Sequence, residues 1–118
     1  MQIAIEELPV TLHGARCLVL GYGRIGKILS KALHDLGADT CVSARRHSDL
    51  AWIRANNLRG VYTKDIEEGI SAYQVIFNTI PAKVLSGQVL DKLDHKTLII
   101  DLASKPGGEG FGGDSEIL

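Results

Sequence analysis

Apolar residues gather along this chain into short, nearly unbroken runs, separated by stretches in which they recur every three or four positions. The runs at 17–20, 40–44, 75–79 and 97–102, with a briefer one near 60–62, have the length and β-branched content of strands buried on both faces. Between the first two, Ile28, Leu29, Ala32, Leu33 and Leu36 fall at helical spacing, which predicts a helix over 27–36 that Gly37 stops. After the second strand, Ser48 or Asp49 caps a predicted helix carrying Leu50, Ile53 and Leu58, with Trp52 packed beside them. Residues 65–70 read as one or two helical turns, and a helix is expected within 82–93. The order βαβαβαβαβ implies an α/β fold: a Rossmann-like, doubly wound parallel sheet of about five strands in spatial order 3-2-1-4-5.

Three segments follow from this pattern. Residues 1–14 form an entry, a short helical arm over 2–8 ended near Pro9 and a turn at 11–14. Residues 15–104 make the sheet domain. From 105 to 118 the chain is a Gly-rich tail, with five glycines between Pro106 and Gly113 and little to bury, expected to be a loop or disordered. A dinucleotide fold usually has a sixth strand and a dehydrogenase a substrate domain; neither has a segment here, so the expectation is part of an enzyme whose open sheet edge promotes self-association into a homo-oligomer.

Composition narrows the partners. The 118 residues are 45% hydrophobic and 23% charged, with a net charge of −1 and a pI near 6.4. No basic field argues for nucleic acid or an anionic membrane surface, so any phosphate must be bound locally. No apolar run reaches the roughly 20 residues that span a bilayer, and residues 1–9 lack the basic start and apolar core of a signal peptide, so a cytoplasmic protein is expected. Cys17 and Cys41 stand in neighbouring strands as small apolar residues, outside any metal-binding spacing, which suits a reducing compartment.

The chemistry begins where the first strand meets the first helix. Gly21-Tyr22-Gly23-Arg24-Ile25-Gly26 spells G-x-G-x-x-G: Gly21 permits a tight turn, Gly23 lets the backbone approach a pyrophosphate, and Gly26 lets the helix pack on the strand. The amides of the helix start then face the anion. At the end of the second strand, about 20 residues on, an acid would accept the ribose hydroxyl of NAD, but Ser43-Ala44-Arg45-Arg46 has no carboxylate there. Arg45 and Arg46 can place guanidinium groups on a 2′-phosphate, with Ser43 and Ser48 donating neutral hydrogen bonds, which favours NADP(H) and leaves NAD(H) open. The alternative is a basic pair solvated at a strand end.

Two further segments reach the edge where ligands of open α/β sheets lie. Asn78-Thr79-Ile80-Pro81 closes the fourth strand, and Asp101 followed by Leu102-Ala103-Ser104 closes the fifth. These face the nicotinamide half of a cofactor or simply form turns. His13, His34, His47 and His95 are scattered through turns and helix surfaces with no partner carboxylate in view. Asp101 and Lys105 are the ionisable groups nearest the expected cofactor mouth and are candidates for positioning substrate; no catalytic acid or base is identified.

Four strings carry a more specific likeness: T-L-H-G-A-R-C-L-V-L-G-Y-G-R-I-G at 11–26, S-A-R at 43–45, F-N-T-I-P at 77–81 and L-I-I-D-L-A-S-K-P-G-G at 98–108. Over about residues 2–111 the chain resembles the C-terminal nucleotide-binding portion of the dipicolinate synthase A-subunit family, and more distantly the cofactor domains of 2-hydroxyacid dehydrogenases. The resemblance implies a nicotinamide-dependent step that makes pyridine-2,6-dicarboxylate from a dihydrodipicolinate precursor in bacterial sporulation. It also implies a small dicarboxylate as substrate and, as partner, a flavoprotein-like B subunit. By matching position it makes Gly21, Gly23, Arg24, Ile25 and Gly26 the phosphate loop, Ala44, Arg45 and Arg46 the adenosine-ribose end, and Asn78, Thr79, Ile80 and Pro81 the segment beside the nicotinamide ribose. After Gly108 the chain departs from the family's pattern. The alternative is a stand-alone dinucleotide-binding module that regulates or docks on another protein without catalysis.

Overall fold

Strands that are apolar on both sides can be buried only if helices cover both faces of their sheet, and the chain folds accordingly. A computed structural model describes residues 12–80, 87–93 and 96–103. Strand β1 (Arg16–Leu20) leads into helix α1 (Arg24–Asp35), β2 (Asp39–Ala44), α2 (His47–Ala55) and β3 (Arg59–Tyr62). Two 3₁₀ turns, Thr63–Asp65 and Ile70–Ala72, then precede β4 (Val75–Asn78), a single helical turn α3 (Gly87–Leu90) and β5 (Leu98–Asp101). The five strands are parallel in the order β3-β2-β1-β4-β5, as the alternation of apolar runs predicts.

Two cores flank the sheet. On one face Leu29 and Leu33 of α1 and Leu50 and Ile53 of α2 pack on Cys17, Val19, Val42, Val75 and Phe77. On the other, Ile66, Ile70 and Val89 cover Leu18, Leu20, Cys41 and Ile76. Both cysteines are free and buried. Burial pushes the Cys17 thiol up to about 11, with the negative charge of Asp39 adding to the shift. Burial, with a hydrogen bond to Cys41, likewise raises the Tyr73 phenol.

The differences from the sequence pattern have local causes. Helix α1 begins at Arg24 rather than Lys27, because Gly23 is already its N-cap and the last glycine of the motif lies inside its first turn. It ends as expected: Gly37 takes a left-handed backbone (φ 86°), and the Gly37 and Ala38 amides return to His34 and Leu33. Helix α2 starts at His47 after Arg46, with no side-chain cap from Ser48 or Asp49. Asn57 at φ 64° ends it, so Leu58 enters the core from the following turn rather than from the helix. Trp52 does not pack: it is 65% exposed on α2. Strand β5 is only half-buried, with Ile99 exposed, since among the described residues β4 is its single neighbour. The expected arm at 2–8, residues 81–86, Ser104 and the tail at 105–118 lie outside the described residues.

Candidate functional site

The site grows from one peptide group. The carbonyl of Leu20, last residue of β1, accepts from both the amide and the hydroxyl of Thr79 just past β4, at 3.1 and 2.7 Å. On the other side of the same peptide, the Gly21 amide donates to the main-chain oxygen and to the hydroxyl oxygen of Ser43 in β2, each at 3.2 Å. The Ser43 hydroxyl also accepts from the hydroxyl of Thr63 at 3.4 Å. The two central neighbours of β1 therefore clamp the point at which the chain leaves the sheet.

Gly21 sits there at φ 105°, and a side chain on it would collide with Ile80 and meet the Thr79 hydroxyl at 2.8 Å. Gly26 lies against the Gly21 carbonyl, so a Cβ there would strike main chain. Gly23 differs. A Cβ on it would meet no atom within 4 Å, yet Gly23 borders an open cleft of about 360 Å³. The close packing at Gly21 and Gly26 is internal to the fold, whereas the space beside Gly23 opens into the cleft. The first helical bond runs from the Lys27 amide to the Gly23 carbonyl at 2.9 Å, leaving the amides of Arg24, Ile25 and Gly26 without an intrahelical acceptor. A pyrophosphate fits that arrangement.

Across the cleft from the loop stand Ala44, Arg45 and Arg46 at the end of β2, with Thr63 after β3 and Ile80 after β4 on the remaining sides. Tyr22 completes the wall, its ring 5.4 Å from the Lys27 ammonium. Among the described residues neither arginine has an ion-pair partner. Asp49, from the first turn of α2, also lines the cleft, a carboxylate that counting along β2 does not find.

The remaining sequence-derived residues fall into place unevenly. Ser43 is fully buried beneath the loop and absent from the cleft lining. Asn78 and Asp101 stand opposite each other in β4 and β5; the Asn78 amide donates to Asp101 at 3.3 Å, and Asp101 also accepts from the Ala103 amide at 3.0 Å. Leu102 donates its amide to the Asn78 carbonyl at 2.7 Å. Pro81, Ser104, Lys105 and His95 lie outside the described residues. His13 borders Gly37 and His34 the far end of α1, away from the cleft, while His47 meets the Tyr62 hydroxyl at 3.1 Å. Among the described residues no group of three or more His, Cys, Asp and Glu gathers as a metal would require. No helix among them is long and apolar enough to cross a membrane.

A doubly wound sheet whose first turn is this glycine loop defines a nicotinamide dinucleotide-binding domain. The chain belongs to the family of acetohydroxy acid isomeroreductase NADPH-binding domains, whose model matches residues 11–101. Its resemblance to the A subunits of dipicolinate synthase holds over most of its length: it is 38% identical over 111 residues to that of Bacillus subtilis (strain 168), covering 94% of this chain. The crystal structure of the dipicolinate synthase A polypeptide from Bacillus subtilis superposes with a TM-score of 0.81 at 39% identity, over 89% of this chain and 35% of that one. D-lactate dehydrogenase from Escherichia coli, at 20% identity and a TM-score of 0.67 over 80% of this chain and 30% of that one, shares the fold alone. The chain spans 37% of the length of that Bacillus subtilis subunit.

Proposed function

We propose that this chain is the NADP(H)-binding domain of a dipicolinate synthase of the A type. In that reading it is the cofactor half of a cytoplasmic oxidoreductase that makes pyridine-2,6-dicarboxylate from a dihydrodipicolinate precursor in sporulation, beside a flavoprotein-like B subunit. The observation that carries the reading is the single cleft joining Gly23, where the backbone is bare, to Arg45 and Arg46, which have no other partner among the described residues. Bound there, the nicotinamide would supply a hydride acceptor or donor. The loop amides would hold the pyrophosphate, the two guanidinium groups a 2′-phosphate, and the segment from Asn78 through Pro81 would border the nicotinamide ribose, with Leu102 to Ser104 beyond it. Asn78 and Thr79 would act as braces, since their side chains already bond Asp101 and Leu20.

Calorimetric titration of the chain with NADPH and NADH tests this. Loss of a charge-assisted hydrogen bond is worth about 1.5–3 kcal/mol, so Arg45→Ala should weaken NADPH by roughly 10- to 150-fold and leave NADH nearly unchanged. Equal losses for both cofactors would refute the assignment. The reaction itself is read on the full-length protein, with and without its partner, as dihydrodipicolinate-dependent turnover of the nicotinamide.

A further inference from the structure

The loss of an acid from the end of β2 is the sequence argument for a phosphorylated cofactor, and the structure returns a carboxylate to the same cleft from another element. Asp49 is the third residue of α2, and it borders the cavity together with Ala44 and Arg45. An acid at the third position of a helix commonly reaches back to the main chain of the N-cap, in this chain Arg46. Here it makes no such bond, and α2 begins without a side-chain cap. Nor is it neutralised: Arg45 and Arg46 stand four and three positions earlier on the same cleft, yet neither comes within ion-pair distance of it. Among the described residues this half-buried carboxylate therefore has no internal task, and the cleft holds two unpaired cations and one unpaired anion.

Resting on the dinucleotide reading above, we propose that Asp49 is a second specificity determinant. Its carboxylate accepts the hydroxyls of an unphosphorylated adenosine ribose, while Arg45 and Arg46 hold a 2′-phosphate, so the cleft takes both NAD(H) and NADP(H). The physical basis is the sign of each interaction. A ribose hydroxyl is a donor and needs an acceptor, which Ala44 lacks and Asp49 has. A 2′-phosphate is an anion, attracted by the guanidinium pair and repelled by Asp49, so the same carboxylate that helps one cofactor opposes the other. Discrimination between the two is then a difference of affinities, moderated by Asp49 from below and by the arginines from above.

The test is a titration of the full 118-residue chain with NADH and NADPH, and with 5′-AMP and 2′,5′-ADP as probes of the adenosine end alone. The parent and the Asp49→Asn and Arg45→Ala variants are compared. Asp49→Asn keeps the shape and removes the charge. It should weaken NADH and 5′-AMP by about tenfold, the scale of one charged hydrogen bond, while NADPH and 2′,5′-ADP bind as well as before or tighter. Arg45→Ala should move the ratio the other way. An unchanged NADH affinity in Asp49→Asn, or equal changes for both cofactors, overturns the role of Asp49 and leaves the domain reading standing. So does a parent that binds NADPH with no measurable NADH. A parent that binds none of the four ligands overturns the domain reading, and the role of Asp49 with it.

Discussion

Gly21 and Ser43 are joined twice through one proton: the glycine amide points between the carbonyl and the hydroxyl oxygens of the serine, each 3.2 Å away. The hydroxyl thus fixes the start of the glycine loop without reaching the cleft. Ser43→Ala should cost about 1 kcal/mol of stability, a fall in Tm of a few degrees for a domain of this size. It should weaken NADPH and NADH by the same factor. Thermal melts and paired titrations check this; a loss confined to NADPH would mean that the serine touches the 2′-phosphate.

The three glycines of the loop should separate stability from binding. Gly23→Val places its Cβ in open cleft and should cost no more than about 1 kcal/mol, the loss of a favourable N-cap, while losing dinucleotide affinity. Gly26→Ala drives a methyl group into the Gly21 carbonyl and should cost roughly 1–3 kcal/mol or more, since main chain cannot step aside as a side-chain tip can. Denaturation by circular dichroism, followed by calorimetry on whichever variants stay folded, distinguishes the two. A folded Gly23→Val that binds as tightly as the parent would remove the phosphate from the loop.

Alkaline pH should expose the buried thiol. Cys17 ionises at about 11 in the fold against an ordinary 9.0, so between those values the unfolded chain releases a proton that the folded chain keeps. The contribution of this thiol is fully present below pH 9 and is lost at up to about 1.4 kcal/mol per pH unit between pH 9 and about 11. Tyr73, raised in the same direction, adds to the loss above pH 10. Urea unfolding at pH 8 and pH 10 should show a drop of about 1 kcal/mol, and the drop should be smaller in Cys17→Ala than in the parent.

Trp52, the chain's single tryptophan, should behave as an indole in water. Its emission should shift little on unfolding, and Trp52→Ser should change stability by no more than about 0.5 kcal/mol. A blue-shifted native spectrum, or a loss of several kcal/mol, would place the ring in a core.

What the residue pattern could reveal depended on whether position along the chain was enough to determine contact. The strand order and the glycine loop were legible because parallel βαβ units have a fixed hand and G-x-G-x-x-G is a local geometry. The end of β2 was legible as far as Ala44, Arg45 and Arg46, which do meet at one cleft. Ser43 was not, because one register step decides whether a strand residue faces a ligand or the loop beneath it. Asp49 was hidden because it lies beyond the strand end, where only the folding back of the first turn of α2 brings it over the same cavity. Trp52, expected to pack beside Leu50 and Ile53, instead stands exposed on α2 while those two are buried, because helical spacing gives it a different side of the helix from theirs.

The register of β1 on β2 has one last consequence. Leu18, not Cys17, lies beside Cys41, and alternation then sends the two sulfurs to opposite sides of the sheet. A disulfide needs its Cβ atoms about 3.8 Å apart and turned toward one another, so the sheet acts as a partition between the only two thiols the chain has. However oxidising its surroundings, the folded domain cannot be stapled shut by its own cysteines.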